Sequence, residues 1–337
     1  MIVRRTLIVA AAAASLAVFA GSGCRSTGGA RGGQNRLTAR RAGGQHQRNG
    51  KRLDAFWARA QQEVYKSADE LAAQRARELR KGLRYDELWR GDPQTPVVAL
   101  TFDDGPHPDF TPKLLDILKR ENVKATFFVV GRMAEQYPQL IRAERAAGHV
   151  VGNHTYHHVN LTKIPIDEIA TEWQACQDVV QSITGGTMRF CRPPGGDYDG
   201  DVITAAMALG LTTVLWTDDP GDYASPGDRT IDRRVLGAIS SGGIVLLHDG
   251  VQQTLDILPG LIASLKRRGF RFETVEQMKA GLRPAEARAS VARAHRSRVI
   301  ELSTGRSNAF PPGTYDIVRE HAEGRSRVAD AAGATKE

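Results

Sequence analysis

From Val97 to about Met278 the chain alternates between two patterns, and that alternation limits the folds open to it. Short apolar runs stand at 97–102, 124–130, 149–152, 188–191, 212–216, 243–247 and 270–274. Between them lie segments with apolar residues three and four apart, such as "KLLDILKREN", "IDEIATEWQACQDVVQSITGG" and "LPGLIASLKRRG". Thr111 followed by Pro112 reads as the cap and first residue of one helix. Several segments end in Gly, as helix C-termini do. A strand followed by a helix, about seven times over, predicts a parallel α/β fold, and the length suits a barrel.

The flanks read differently. Leu53, Phe56, Trp57, Ala60, Val64, Ala68, Leu71, Ala72 and Leu79 recur at helical steps. Residues 51–95 are therefore expected to carry a long amphipathic helix packed on a domain spanning 96–280. Residues 281–337 form a polar tail, Arg- and Ala-rich, broken by "PPG" at 311–313. At the other end, "MIVRR" followed by "TLIVAAAAASLAVFA" reads as an export signal over 1–24, its apolar run too short for a comfortable membrane span. Two endings compete: cleavage after Ala20, and a lipoprotein-type "GSGC" that puts a lipid on Cys24, although Gly21 stands where such a box usually has Leu. Residues 25–50, rich in Gly, Arg and Gln, read as a disordered tether. Eight of the 46 Lys and Arg lie in residues 1–50, which hold no acid, so the net charge of +8 belongs to that segment and the rest is balanced. Bulk charge gives the main domain no nucleic-acid face. The protein is expected to be exported, and either anchored at the cell surface or periplasmic or secreted. In that setting Cys176 and Cys191, at similar distances from the turn between a helix and the next strand, are open to two readings: a disulfide or two buried thiols.

The ionisable residues collect at strand ends. Asp103 and Asp104 of "TFDDGP" close the first run, "NHTYHH" the third, "RPPGGDY" the fourth, "TDDPGDY" the fifth and "HDG" the sixth. In a parallel barrel these ends share one rim, where side chains from separate strands converge. Two imidazoles and a carboxylate make an open ligand set for Zn²⁺, and such a metal lowers the pKa of water. His154 and His158 suit the spacing; His157 leaves other pairs open. Neighbouring strand residues point to opposite sides, so the two Asp should divide the work, one as ligand and one as base. His248, from another strand, has the chemistry of a general acid.

These motifs resemble those of the NodB-homology polysaccharide deacetylases, carbohydrate esterase family 4, over about 97–278. The resemblance implies a distorted (β/α)7 barrel. It implies that Asp103 is the catalytic base, that Asp104, His154 and His158 hold the metal, and that Arg192 of "RPPGG" holds Asp103. It implies that Asp219 of "DPGDY" orients the general acid His248 and raises its pKa. Leu246 of "LLH" would line the acetyl-methyl pocket, and Gly195 would offer its backbone N–H to the oxyanion. Two positions depart from the family pattern. Gly195 stands where the family usually has Tyr, and Tyr223 where it usually has Trp; Trp216 is the residue expected to fill some of that aromatic role.

The function so implied is metal-dependent hydrolysis of N-acetyl groups from N-acetylglucosamine units of an envelope polysaccharide, peptidoglycan or chitin-like, with Zn²⁺ or another divalent metal such as Co²⁺. The alternatives are an O-acetyl xylan esterase using the same site and an inactive glycan-binding module. The partners implied are the polymeric acetylated glycan and, through Cys24, a membrane; no nucleic acid is expected.

Overall fold

All seven expected strands form, and a short eighth precedes them. The computed structural model describes residues 56–57 and 64–282; the expected export signal with Cys24, the tether and the tail beyond 282 lie outside the described residues. The strands are β1 (Glu87–Leu88), β2 (Val97–Asp103), β3 (Thr126–Val129), β4 (Val150–Asn153), β5 (Phe190–Cys191), β6 (Thr212–Val214), β7 (Gly243–His248) and β8 (Arg271–Phe272). Every pairing is parallel, and the order is β1-β6-β5-β4-β3-β2-β7 with β8 against β2. β7 occupies one edge of β2 from Val98 to Asp103. The other edge is shared: β8 takes Val97 and Val98, and β3 takes Thr101 and Phe102.

The sheet returns on itself just beyond β6. Asp218 bridges Val245, the Thr217 N–H donates to the Ile244 carbonyl at 3.0 Å, and the Leu246 N–H donates to the Asp218 carbonyl at 2.9 Å. The result is a distorted (β/α) barrel closed by this short contact. β2 is buried at all seven positions, as a parallel strand covered on both faces must be. β1 carries too little apolar sequence to register as a strand; it adds to the outer edge of β6.

Helices cover the barrel: α1 (Ala68–Arg80), α2 (Thr111–Arg120), α3 (Gly131–Gln136), α4 (Pro138–Ala146), α5 (Ile166–Thr184), α6 (Gly200–Ala208), α7 (Asp228–Ala238), α8 (Gln252–Arg267) and α9 (Val275–Gly281). In α2 the residues Leu114, Ile117 and Leu118 face the core. In α5 the inner stripe is Ile169, Trp173, Cys176 and Val180, and Gly185 at φ 72° stops the helix. Among the described residues, no helix is long and apolar enough to cross a membrane.

One expectation changes, and of the two readings open for Cys176 and Cys191 the structure takes the buried thiols. The long helix over 51–95 is interrupted, because 64–67 are not helical. Ser67 and Glu70 form a reciprocal capping box that starts a new helix at Ala68, and the Lys66 N–H donates to the Gly195 carbonyl at 3.0 Å rather than to a helical partner. The disulfide does not form: Cys176 and Cys191 are free and buried. The Cys176 thiol points to the Val129 carbonyl on β3 at 3.4 Å, while the Cys191 thiol lies 3.7 Å from the Thr213 hydroxyl on β6. Burial pushes both thiols up, that of Cys191 to about 12, which leaves them unreactive.

Candidate active site

The strand ends do meet, and the two acids meet first. β2 ends at Asp103, and Asp104 takes a left-handed conformation at φ 72°. That turn brings both carboxylates to His154: Asp103 Oδ2 lies 3.7 Å and Asp104 Oδ1 3.5 Å from its Nε2. The pair therefore diverges less than strand alternation suggests, and the division between them comes from their other partners. Asp103 Oδ1 accepts from Arg192 Nη1 at 2.7 Å. Arg192 is fully buried. It also donates to the Thr101 hydroxyl and to the carbonyls of Val214 and Leu215, and its guanidinium lies 4.2 Å from the centre of the Phe128 ring. A buried arginine so fully engaged is a fixed positive post for Asp103.

The segment after β4 carries the imidazoles on a constrained backbone. Thr155 (φ 65°) and His158 (φ 61°) join Asp104 in the left-handed region, where a β-branched residue is a true outlier. Such strain persists only where the surroundings enforce it, and here they do. Asn153 accepts from the Thr155 N–H, and the Thr155 hydroxyl accepts from the His158 N–H. Glu172 on α5 accepts from the N–H groups of Tyr156 and His157, and its other oxygen lies 2.6 Å from His157 Nδ1. His157 is thus turned away from the acids. His154 Nδ1 lies 2.7 Å from the Arg192 carbonyl, so Nδ1 carries the proton and Nε2 presents a lone pair.

Asp104, His154 and His158 offer one ligand atom each, all within 4.8 Å of one another. Asp104 Oδ1 and His154 Nε2 are buried without a hydrogen-bond partner, and His158 Nε2 stands 3.0 Å from Asp104 Oδ1. Burial alone would push Asp104 up, but the imidazoles of His158 and His154 outweigh it and hold its carboxyl well below the usual range. An oxygen and two nitrogens gathered this closely inside a protein suit a divalent cation.

Across the cavity β7 ends at His248. Its Nδ1 lies 2.8 Å from Asp222 Oδ1, and its backbone N–H donates to Asp222 Oδ2 at 2.8 Å. The Thr254 hydroxyl donates to that same oxygen. This corrects the expectation for Asp219: its carboxylate accepts from the Gly221 N–H at 2.8 Å and makes no hydrogen bond to the ring. The partner of His248 is the second acid of the same motif. Burial pulls His248 down, but the Asp222 charge and hydrogen bond, with Asp104 and Asp103 behind them, raise it to about 9. Its Nε2 is buried and bare. Asp249, absent from the sequence reading, is held by the Thr111 hydroxyl, and burial raises it to about 7. Thr111 serves this contact rather than capping α2.

The remaining expected residues surround this centre at different depths. Tyr223 lines a cavity of about 10 Å³ with Trp57, Asp104, His248, Asp249, Gly250 and Val251. Trp216 is fully buried and packs beside Arg192. Gly195 sits at φ 64° in the turn Pro194–Gly196. Its neighbour Gly196, at φ 71°, admits no side chain, since a Cβ there would come within 2.6 Å of the Trp216 ring. Leu246 is buried in β7, opposite Thr101. Neither Trp216, Gly195 nor Leu246 lines the small cavity.

A bare carboxylate–imidazole cluster with an arginine-held acid on one side and an acid-held imidazole on the other defines a metal-dependent hydrolase site. The comparisons with known proteins agree. The family model described as Polysaccharide deacetylase matches residues 90–214. A peptidoglycan-N-acetylglucosamine deacetylase of Bacillus cereus is 37% identical over 199 residues, covering 58% of this chain and 72% of the relative. A chitooligosaccharide deacetylase of Sinorhizobium fredii is 38% identical, covering 54% of this chain and 91% of the relative. Among solved structures, the Bc1960 peptidoglycan N-acetylglucosamine deacetylase superposes with a TM-score of 0.56 at 37% identity, over 58% of this chain and 92% of the other. BA3943 of Bacillus anthracis, described as a CE4 family pseudoenzyme, gives 0.56 at 30% identity, over 59% of this chain and 70% of the other. The chain belongs to the polysaccharide deacetylase family, the NodB-homology group of carbohydrate esterase family 4.

Proposed function

We propose that the protein hydrolyses N-acetyl groups of N-acetylglucosamine units in an envelope polysaccharide, peptidoglycan or a chitin-like chain. The observation that carries this reading is the set of bare atoms at the rim. Asp103 Oδ2, Asp104 Oδ1, His154 Nε2 and His248 Nε2 are buried without hydrogen-bond partners and come from three strand ends. Buried polar atoms are normally satisfied, so a cluster of exceptions is held ready for something outside the chain. Relatives named for peptidoglycan N-acetylglucosamine and for chitooligosaccharide support the amide as substrate.

Asp104, His154 and His158 would hold a divalent cation, which would supply the Lewis acidity that lowers the pKa of water and polarises a carbonyl. Asp103, held in place by Arg192, takes the proton of the attacking water. His248, oriented by Asp222, delivers a proton from Nε2 to the departing sugar nitrogen. The Gly195 N–H serves the oxyanion, Leu246 bounds the acetyl methyl, and Tyr223 contacts the sugar, while the buried Trp216 backs Arg192 rather than the sugar. Zn²⁺ is the metal of this reading, with Co²⁺ as a substitute. The expected export signal over 1–24, ending either in cleavage after Ala20 or in lipid on Cys24, and the tether over 25–50 belong to the same reading, which has the domain act at the envelope.

Acetate release from peptidoglycan, chitin oligomers and acetylated xylan tests it. Release from the two amide substrates, lost on chelation and restored by Zn²⁺ or Co²⁺, is the expected result. A preference for xylan makes the protein an O-acetyl esterase, and no acetate from any substrate makes it a glycan-binding module. Asp103→Asn should keep the metal and lose about 10²- to 10⁴-fold in rate; loss of metal content by elemental analysis would make Asp103 a ligand.

A further inference from the structure

The centre described above has a roof, and the roof comes from outside the barrel. Tyr65 belongs to the non-helical stretch at 64–67 and is only 4% exposed. Its hydroxyl donates toward Asp104 Oδ2 at 3.5 Å. Its ring lies 4.7 Å from that of His248 and 4.5 Å from that of Tyr223. Two more rings from the same side of the chain adjoin it. Phe56 stands 5.8 Å from His158, and Trp57 stands 4.6 Å from His107 and lines the small cavity. Lys66 anchors the stretch through its N–H to the Gly195 carbonyl, through an ion pair of 3.2 Å with Asp197, and through a hydrogen bond to Gln74.

The consequence is steric. His154 and His248 are at most 1% exposed and Asp104 is 3% exposed. The cavity of about 10 Å³ beside them has room for about one water. An acetamido group attached to a sugar ring does not fit there. Yet the unsatisfied atoms of Asp103, Asp104, His154 and His248 are buried, only Asp104 and His248 line that cavity, and a polymer must bring its amide to them.

We infer that Tyr65 is the gate of this site and sets its selectivity: it stands where the acetylated sugar must arrive, and glycan enters only when the stretch carrying it withdraws from Asp104 and His248. The substrate in this statement rests on the deacetylase reading; the closure itself does not. Lys66, held by Asp197 and Gly195 at the edge of the site, is the hinge-side anchor. A glycan chain displaces the tyrosine ring with its own sugar faces, while water and small solutes meet a closed centre. Because the observed affinity for a substrate scales with the fraction of open protein, loosening the anchor raises kcat/KM without altering the catalytic groups.

The test compares full-length wild type, Tyr65→Ala, Tyr65→Phe and Lys66→Glu, each Zn²⁺-loaded and checked for folding by thermal melt. Two quantities are read: the rate of Zn²⁺ loss to excess chelator, and kcat/KM on a chitin pentamer. Tyr65→Ala should speed Zn²⁺ loss about tenfold and raise kcat/KM by a similar factor, as expected for a closed state favoured about ten to one. Lys66→Glu, which sets a like charge against Asp197 without touching the core, should move both in the same direction. Tyr65→Phe keeps the ring and should keep slow Zn²⁺ loss. Faster Zn²⁺ loss in proteins that release no acetate would uphold the gate and overturn the deacetylase reading instead. Unchanged Zn²⁺ loss in folded Tyr65→Ala and Lys66→Glu, or a fall in kcat/KM, overturns the gate.

Discussion

His248 illustrates what one neighbour does to one residue. A general acid must hold its proton at the working pH, and an isolated imidazole does so only in part. Burial makes this worse; the Asp222 carboxylate more than reverses it and lifts the ring to about 9. The sign follows. A folded value above the unfolded one gives stability that is fully present below about 6.5 and is lost as the pH rises through about 9. The melting temperature of metal-free protein should therefore fall across that window, and Asp222→Asn should flatten the fall. In turnover the same substitution should move the alkaline limb to lower pH and cost about 10²- to 10⁴-fold in kcat. In the loaded enzyme a cation beside Asp104 offsets part of that acid's pull, so the limb should lie below the value for metal-free protein. Asp219→Asn removes a carboxylate that is hydrogen-bonded to the Gly221 N–H and acts on His248 only through its charge, so it should move the limb less than Asp222→Asn does; a shift equal to that of Asp222→Asn would return the role to Asp219. The motif "TDDPGDY" contains both acids, and nothing within it chooses between them. The choice is made by the Thr254 hydroxyl and the His248 N–H, which belong to segments about 30 residues away. Metal ligands were legible because residue type and spacing narrow them and the family resemblance selects His154 and His158; the orienting acid was not.

At the scale of elements, the ligand-bearing segment depends on a helix it is not part of. Glu172 has no part in the sequence reading, yet it is 1% exposed and holds two N–H groups and the His157 ring. That arrangement keeps Thr155 and His158 in their left-handed conformations and so sets the direction of both metal-binding rings. Glu172→Ala leaves those N–H groups orphaned, at about 1–3 kcal/mol each, and should weaken Zn²⁺ binding about 10- to 100-fold by competition titration, the range for residues that orient ligands. His157→Ala removes one of the three contacts and should leave Zn²⁺ occupancy near wild type. Equal losses from both substitutions would make His157 a ligand. The interrupted N-terminal helix teaches a related lesson. Its apolar period runs unbroken through 64–67, yet "SADE" at 67–70 is a capping box written in the sequence. Periodicity reports which residues prefer burial; the cap reports where a helix begins, and here the cap wins because Lys66 and Tyr65 find better partners over the barrel rim. β1 escaped notice for the opposite reason, having only two residues and one buried side chain.

Across the whole molecule, strand–helix alternation predicts a parallel α/β fold, the family resemblance makes it a barrel, and the shared rim gathers the acids and imidazoles. The way in was not readable, since a roof built from Phe56, Trp57 and Tyr65 depends on where an extension happens to lie. The gathered site also carries a cost that no segment shows alone. Asp103 and Asp104 converge on His154 inside a nearly water-free interior, where like charges repel strongly and are poorly hydrated. Arg192 neutralises one of them; a cation at Asp104, His154 and His158 neutralises the other. Metal binding should therefore be linked to folding as a whole. At Zn²⁺ concentrations about 100 times Kd, the native state gains about 2.7 kcal/mol. For a domain of this size that corresponds to a rise of about 5–10 °C in Tm, taking about 2–4 °C per kcal/mol. Calorimetry of stripped and reloaded protein measures it. Asp104→Ala removes a ligand, so it should abolish the Zn²⁺-dependent rise; because His158 and His154 favour the Asp104 carboxylate in the stripped wild type, the stripped variant should melt below stripped wild type at neutral pH. A stripped and reloaded wild type with the same Tm would mean that the bare atoms at the rim are not a metal site, and the hydrolytic reading would fall with it.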